Sequence, residues 1–249
     1  MGLKESGLRG SLRNVSVGID AIPDSVGNRF NAPEQLQTQG ETVDPWDDLV
    51  GSANLTAIGS PTLNEGAVNN VDAIDLDGTD DAYRYDVNLS TDISAPCTIM
   101  WAVTIESLPD DDIVTLYRNS GDDTQTISQI IIRTDNDEFA LNTREQTGGS
   151  GGDLSPSTGD FIFTLACGTD DAILRVNGTD DATAASADGM TVLESDGTGS
   201  FYTDHTRDDR FMDALAVETV YHPDDRLTGD NLTDEEERLE SEANMSVLS

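Results

Sequence analysis

The stretch IDLDGTDDAYRY, Ile74 to Tyr85, sets Asp75, Asp77, Asp80 and Asp81 around Gly78 and follows them with two tyrosines. The tetrapeptide GTDD returns at Gly168–Asp171 and Gly178–Asp181. Clustered carboxylates are the chemistry of hard cations, which bind oxygen ligands. The same residue types also form turns, because Asp bonds neighbouring backbone and Gly accepts positive φ. An EF-hand loop here would need oxygen ligands at 73, 75 and 77 and an acid at 84. Asp75 and Asp77 comply; Ala73 and Arg84 do not. Asp77-Gly78 and Asn177-Gly178 therefore read first as hairpin turns, with the remaining aspartates in solvent. A rim calcium ion involving Asp75, Asp80 or Asp81 is the alternative reading of the same residues.

Sugar sites usually set aromatic rings beside carboxylates or amides. Trp46, Tyr83, Tyr85, Trp101, Tyr117 and Tyr202 are the rings that could serve. Most are expected in the core, Trp101 above all, and Tyr83, Tyr85 and Tyr202 are taken as candidate glycan contacts. His205 and His222 stand near acidic or polar loops, with no serine elbow or metal-ligand spacing nearby, and are expected at the surface. Cys97 and Cys167 each lie inside an apolar run and read as small buried hydrophobes. Spacing alone leaves a disulfide between them open. The Asn-x-Ser/Thr sequons, such as Asn54 and Asn177, are the number a Ser/Thr-rich chain produces by chance.

The 249 residues include 49 acidic against 13 basic ones, a net charge of −36, and Lys4 is the only lysine. Such a surface suits concentrated salt, where the Debye length falls to about 3 Å and repulsion is screened. At low salt the same charges oppose the compact state. A halophilic origin is the expectation. Nucleic acid is a poor partner, since phosphate binding needs a basic patch. No apolar run reaches the roughly 20 residues of a membrane helix, and MGLKESGLRG lacks the apolar core of a secretory signal.

Leu3, Leu8, Leu12 and Val15 fall close to one helical face, broken by Gly7 and Gly10. That arm is expected to attach to another subunit or a particle. Pro23 to Asp44 is polar and reads as an extended connector, so residues 1–44 form arm and connector and residues 45–249 one domain. From Trp46 onward short β-branched and aromatic runs alternate with Gly/Asp/Asn/Ser clusters. CTIMWAVTI (Cys97–Ile105) is apolar on both faces and belongs deep in a sandwich. Near the end, Thr233 and Glu236 have the spacing of a capping box that starts a short helix. The class is all-β, two packed antiparallel sheets.

The order of these features resembles the concanavalin A-like, laminin-G type jelly roll. The resemblance rests on Trp46 and Asp48, on AIDLDGTDDAYRY, on the ILRVNGT hairpin and on the closing FMDALAVETVYHPDDRLTGDNLTDEEERLESEA. It spans about Trp46 to Glu242 and implies a two-sheet sandwich that binds carbohydrate or protein, with a rim calcium in some members. The family's catalytic branch carries Glu-x-Asp-x-x-Glu on an inner strand. No such motif occurs here, since LESDG (Glu194, Asp196) lacks the second glutamate, and a retaining glycosidase needs two carboxyls about 5 Å apart. The chain is therefore expected not to be an enzyme.

The functional expectation is a structural subunit of a haloarchaeal virus (capsid decoration, turret or tail fibre). It would lie at the virion surface with other virion subunits as partners, as a homo-oligomer, trimer or pentamer, in contact with host surface glycans. The alternative is a carbohydrate-binding module of a haloarchaeal surface protein.

Overall fold

Strands form where β-branched and aromatic residues alternate faces, and both faces of several strands are covered. The structure, a computed structural model, describes residues 26–51, 53–86, 96–108, 113–122, 125–133, 137–143, 150–168, 171–184, 198–203, 210–223 and 225–248. In chain order the strands are β1 (Asn28–Asn31), β2 (Thr56–Ile58), β3 (Thr62–Val68), β4 (Val71–Asp77) and β5 (Ala82–Asp86). Next come β6 (Cys97–Ile105), β7 (Ile113–Asp122), β8 (Gln125–Arg133), β9 (Glu138–Thr143) and β10 (Ser150–Gly151). The last are β11 (Gly159–Cys167), β12 (Ala172–Val176), β13 (Thr179–Ala184), β14 (Thr198–Phe201) and β15 (Asp213–Pro223), followed by helix α1 (Gly229–Glu242).

Two antiparallel sheets result. One runs β13-β12-β11-β6-β15-β4-β3, with β1 also paired to β15; the other runs β10-β9-β8-β7-β14-β5-β2. The main core lies between them and includes Trp46, Tyr83, Tyr85, Trp101, Tyr117 and Phe163. A second core lies on the outer face of the eight-stranded sheet, where Met100, Ala102, Ile162, Val217 and Val220 meet Leu232 and Leu239 of α1. β6 shows the expected two-faced burial for this reason: Ile99, Trp101 and Val103 face the other sheet while Met100 and Ala102 face the helix.

The boundary expected at residue 44 is corrected. Asn28–Asn31 pairs with Glu218–Tyr221, and Phe30, Ala32 and Val43 are buried in the main core. Part of the stretch expected to be a connector is a strand, because Arg29 and Asn31 are buried with Glu218 of β15 as their partner. The arm residues Leu3, Leu8, Leu12 and Val15 lie outside the described residues. Asn177-Gly178 forms the expected two-residue hairpin with both φ positive, 51° and 77°, joining β12 to β13. Asp77-Gly78 does not, because β4 and β5 belong to different sheets and the turn crosses the rim between them. α1 starts after Thr228, earlier than the Thr233 box predicts. Glu236 is not a cap: it accepts from Arg175 Nε at 2.9 Å and Thr164 Oγ1 at 3.0 Å.

Candidate functional site

Two sets of side chains stand out, an acidic turn at the rim and a pair of arginines on the outer face of the seven-stranded sheet. In the turn, Asp77 Oδ1 accepts from the backbone N–H groups of Thr79 at 2.8 Å and Asp80 at 3.1 Å. Asp81 is buried, and its Oδ1 accepts the Ser60 N–H at 2.6 Å. Gly59 (φ +73°) lets the β2 edge close over this turn, since a Cβ there would stand 2.4 Å from the Asp80 carbonyl oxygen. One carboxylate oxygen from each of Asp77, Asp80 and Asp81 lies within 4.8 Å of the others. Asp75, expected to contribute, sits within β4 and accepts from Asn64 Nδ2 at 3.3 Å instead. The i, i+2 alternation of a strand keeps it on the strand's face, whereas Asp77 ends the strand and can turn.

Burial first, then the neighbouring Asp77 and Asp80 charges, raises the Asp81 carboxyl, although the Ser60 N–H opposes this. The same holds nearby for Glu106, raised by burial and then by Asp75 and Asp213. Asp77 stands directly opposite Asp213 across β4 and β15. Like charges in that position oppose strand pairing, so this rim is strongly anionic.

The second set lies on the face of the seven-stranded sheet turned away from the core. Tyr83 and Tyr85 point into the core, so alternation sends Arg84 to the other side. Ser200 pairs with Arg84 on one flank and Arg118 on the other. The order Arg84–Ser200–Arg118 thus crosses β5, β14 and β7 in one row, with the two arginines roughly 10 Å apart, two strand spacings. Arg84 is exposed and Arg118 is buried. Both have polar partners within the fold. Sequence reading passed over Arg84 for the rings beside it, although the period of two in YRY already put the arginine and the rings on opposite faces.

The candidate glycan contacts are corrected. Tyr83, Tyr85 and Tyr202 are exposed by no more than 1%. Tyr83 donates its hydroxyl to the Val43 carbonyl at 2.8 Å, and the Tyr202 hydroxyl lies 2.9 Å from Thr219 Oγ1. These rings are the filling between the sheets. His222 is buried, not on the surface, with Nε2 3.6 Å from Glu235 Oε1; His205 lies outside the described residues. Cys97 and Cys167 are both buried, as expected, and are free thiols directly opposite each other across β6 and β11.

A third cluster fastens α1 to the sheet. A bulge in β15 between Ala216 and Glu218 turns the Glu218 carboxylate toward the helix. It accepts from Arg29 Nε at 2.8 Å, Arg238 Nη2 at 2.9 Å and Asn31 Nδ2 at 2.6 Å. Burial opposes its charge, yet Arg238 and Arg29 bring it down to about 2. Glu242, at the edge of the cluster, is pushed up to about 7 by burial and by Glu218.

No protein-family model matches the chain, and no curated protein matches it. Among solved structures it is similar to Trypanosoma rangeli sialidase in complex with sialic acid, at 11% identity and a TM-score of 0.58, over 89% of this chain and 33% of that one. It is similar to domain 4 of AbnA, a GH43 extracellular arabinanase from Geobacillus stearothermophilus, in complex with arabinotriose. There the identity is 12% and the TM-score 0.57, over 84% of this chain and 97% of that one. It is also similar to the receptor binding domain of botulinum neurotoxin C/D mosaic serotype, at 14% identity and a TM-score of 0.62, over 87% and 52% of the two chains. The chain thus spans about a third of the sialidase and half of the toxin domain. At these identities the likeness is one of fold. The expectation that the chain is not an enzyme is corrected by it: the same sandwich is part of a sialidase and of an arabinanase, so a missing Glu-x-Asp-x-x-Glu does not separate this chain from enzymes.

Proposed function

We propose that this chain is a glycan-binding β-sandwich whose ligand lies across the outer face of the seven-stranded sheet, at Arg84, Ser200 and Arg118. The observation that carries the reading is the register of those residues: two of the chain's 13 basic residues flank one serine across three adjacent strands. Guanidinium groups recognise carboxylates through charge-assisted, often bidentate hydrogen bonds. The ligand class is therefore an acidic oligosaccharide, held by the positive charge of the pair in exchange for its present partners. Support comes also from the similar arabinanase domain, which is in complex with arabinotriose. The opposite outer face is covered by α1; on the seven-stranded face Arg84 is exposed, while Ser200 and Arg118 are buried beside it.

The setting we propose is a high-salt medium, as a surface subunit of a haloarchaeal virus (capsid decoration, turret or tail fibre) assembled as a trimer or pentamer. A module of a haloarchaeal cell-surface protein would use the same sugar site and differ in its attachment. The support is the charge of −36 with a single lysine, and the apolar set Leu3, Leu8, Leu12 and Val15 in the arm. The test is glycan binding in molar NaCl, comparing acidic with neutral oligosaccharides and the native chain with Arg84→Ala. Acidic sugars should bind, and Arg84→Ala should weaken them about tenfold, or 1.4 kcal/mol, with folding unchanged because the side chain is exposed. Equal binding of neutral sugars, or an unaffected variant, would remove the site.

A further inference from the structure

We propose that Cys97 and Cys167 are a site of oxidative modification, where a disulfide joins β6 to β11; this structure holds the pair as free thiols. They are the chain's two cysteines, so a single intramolecular pairing exists. Cys97 opens β6 and Cys167 closes β11, and the antiparallel register sets them directly opposite. Opposed residues on such strands have Cα atoms about 4.5 or 5.5 Å apart, depending on whether the pair exchanges backbone hydrogen bonds. Both values fall inside the roughly 4.4–6.8 Å over which a disulfide forms. The two side chains also share a face, since both belong to the core between the sheets, and the thiols are in hydrogen-bond contact. Opposed Cβ atoms lie about 4.5–5.5 Å apart, and a disulfide needs about 3.5–4.5 Å. Standing at the ends of their strands, the two cysteines can close that gap with few ladder bonds to disturb.

The oxidant is a small-molecule disulfide. One cysteine thiolate attacks it, forming a mixed disulfide and releasing one small thiol. The second cysteine then attacks the protein sulfur of the mixed disulfide and releases the other. Both protein thiols are oxidised, the small disulfide is reduced to two thiols, and these carry away the two protons. Neither cysteine is exposed, so the exchange takes place while the chain folds or opens locally, and the closed bond is shielded from reductants. Disulfides persist in oxidising surroundings, and the setting proposed above would place the chain in one; the geometry of the pair is independent of the sugar site. The bond would close a loop that contains β7 to β10, four of the seven strands of the other sheet. It would therefore restrict much of the unfolded chain.

The experiment treats the full, reduced chain in molar NaCl with oxidised glutathione. One sample is warmed to just below its Tm, so that local opening admits the oxidant, and a second is refolded from denaturant; controls receive a reducing agent instead. Intact mass, non-reducing peptide maps and thermal unfolding are read. With the oxidant the mass should fall by two hydrogens, and one peptide should join Cys97 to Cys167. On unfolding, the oxidised chain should take up no maleimide, and the reduced chain should be labelled at both cysteines. A disulfide stabilises by constraining the unfolded chain, so Tm should rise by roughly 5–15 °C over the reduced form, and the rise should vanish on reduction. The double variant Cys97→Ala, Cys167→Ala should unfold at one temperature with either reagent, which assigns the shift to the bond. Thiols that remain after both oxidant treatments overturn the site. So do a glutathione adduct or a disulfide-linked dimer in place of the internal bond, and so does an internal bond that forms but lowers Tm.

Discussion

Replacing Arg238 by Met tests whether the charge cluster under α1 holds the helix to the sheet. Arg238 donates to Glu218 at 2.9 Å and to Glu235 at 2.7 and 3.0 Å, and pairs with Glu242 at 2.9 Å. Its side chain is 9% exposed. Removing one partner of a buried pair typically costs 3–5 kcal/mol, because it leaves the others charged and unpaired. Arg29 stays on Glu218 through Nε and Nη2, which favours the lower figure. At about 2–4 °C per kcal/mol for a chain of this size, Tm should fall by roughly 6–12 °C. The pH dependence has a definite sign. In the native protein the depressed Glu218 contributes stability that is complete above its unfolded value and is lost as pH falls through about 2. In the variant, Glu218 and Glu235 lose a cation and their folded values rise, so the variant recovers stability relative to the native chain as pH falls from 7 toward about 5. Denaturant unfolding at both pH values reads this directly. Adding Glu235→Gln to Arg238→Met should restore part of the loss. A loss under ~1 kcal/mol, or one that is the same at both pH values and unrelieved by Glu235→Gln, would refute the account of a stranded charge.

A chain beginning at Pro45 should fail to fold, because it loses β1, the buried Phe30 and Val43, and the Arg29 hydrogen bonds to Glu218. One beginning at Pro23 should fold and, if the arm is the attachment, lose assembly; circular dichroism and sedimentation separate the two outcomes. Cys167 is raised by burial first and then by its contact with Cys97. Both thiols should therefore resist a maleimide in the native protein and react on unfolding, and rapid native labelling would contradict the burial of this pair.

Much of the sandwich was readable where one signal had one cause. β6 is apolar on both faces because a sheet covers one and a helix the other, and Asn177-Gly178 needs only local backbone conformation to form its hairpin. The misreadings come from residues whose partners lie far along the chain. NRFN reads as connector because three of its residues are polar, yet Arg29 and Asn31 are buried against Glu218, which only the fold brings near. Thr233 and Glu236 have capping-box spacing, but a buried hydrogen bond to Arg175 and Thr164 uses the glutamate better than a solvent-facing helix end does. Asp77-Gly78 has hairpin chemistry and still crosses between sheets, since dipeptide preference fixes the turn and not the strand that follows. Tyr83, Tyr85 and Tyr202 suit a sugar site by residue type, whereas alternation along β5 turns Tyr83 and Tyr85 into the core and Arg84 out, and Tyr202 is buried just after β14.

The two outer faces of the sandwich are covered differently, and this asymmetry bears on the proposed sugar site. On the eight-stranded sheet, α1 brings Leu232 and Leu239 onto Met100, Val217 and Val220, and burying each leucine is worth roughly 1.5–3 kcal/mol. A ligand displacing the helix would forfeit those contacts together with the ion pairs of Arg29 and Arg238. The seven-stranded face demands no such displacement at Arg84, which is already exposed.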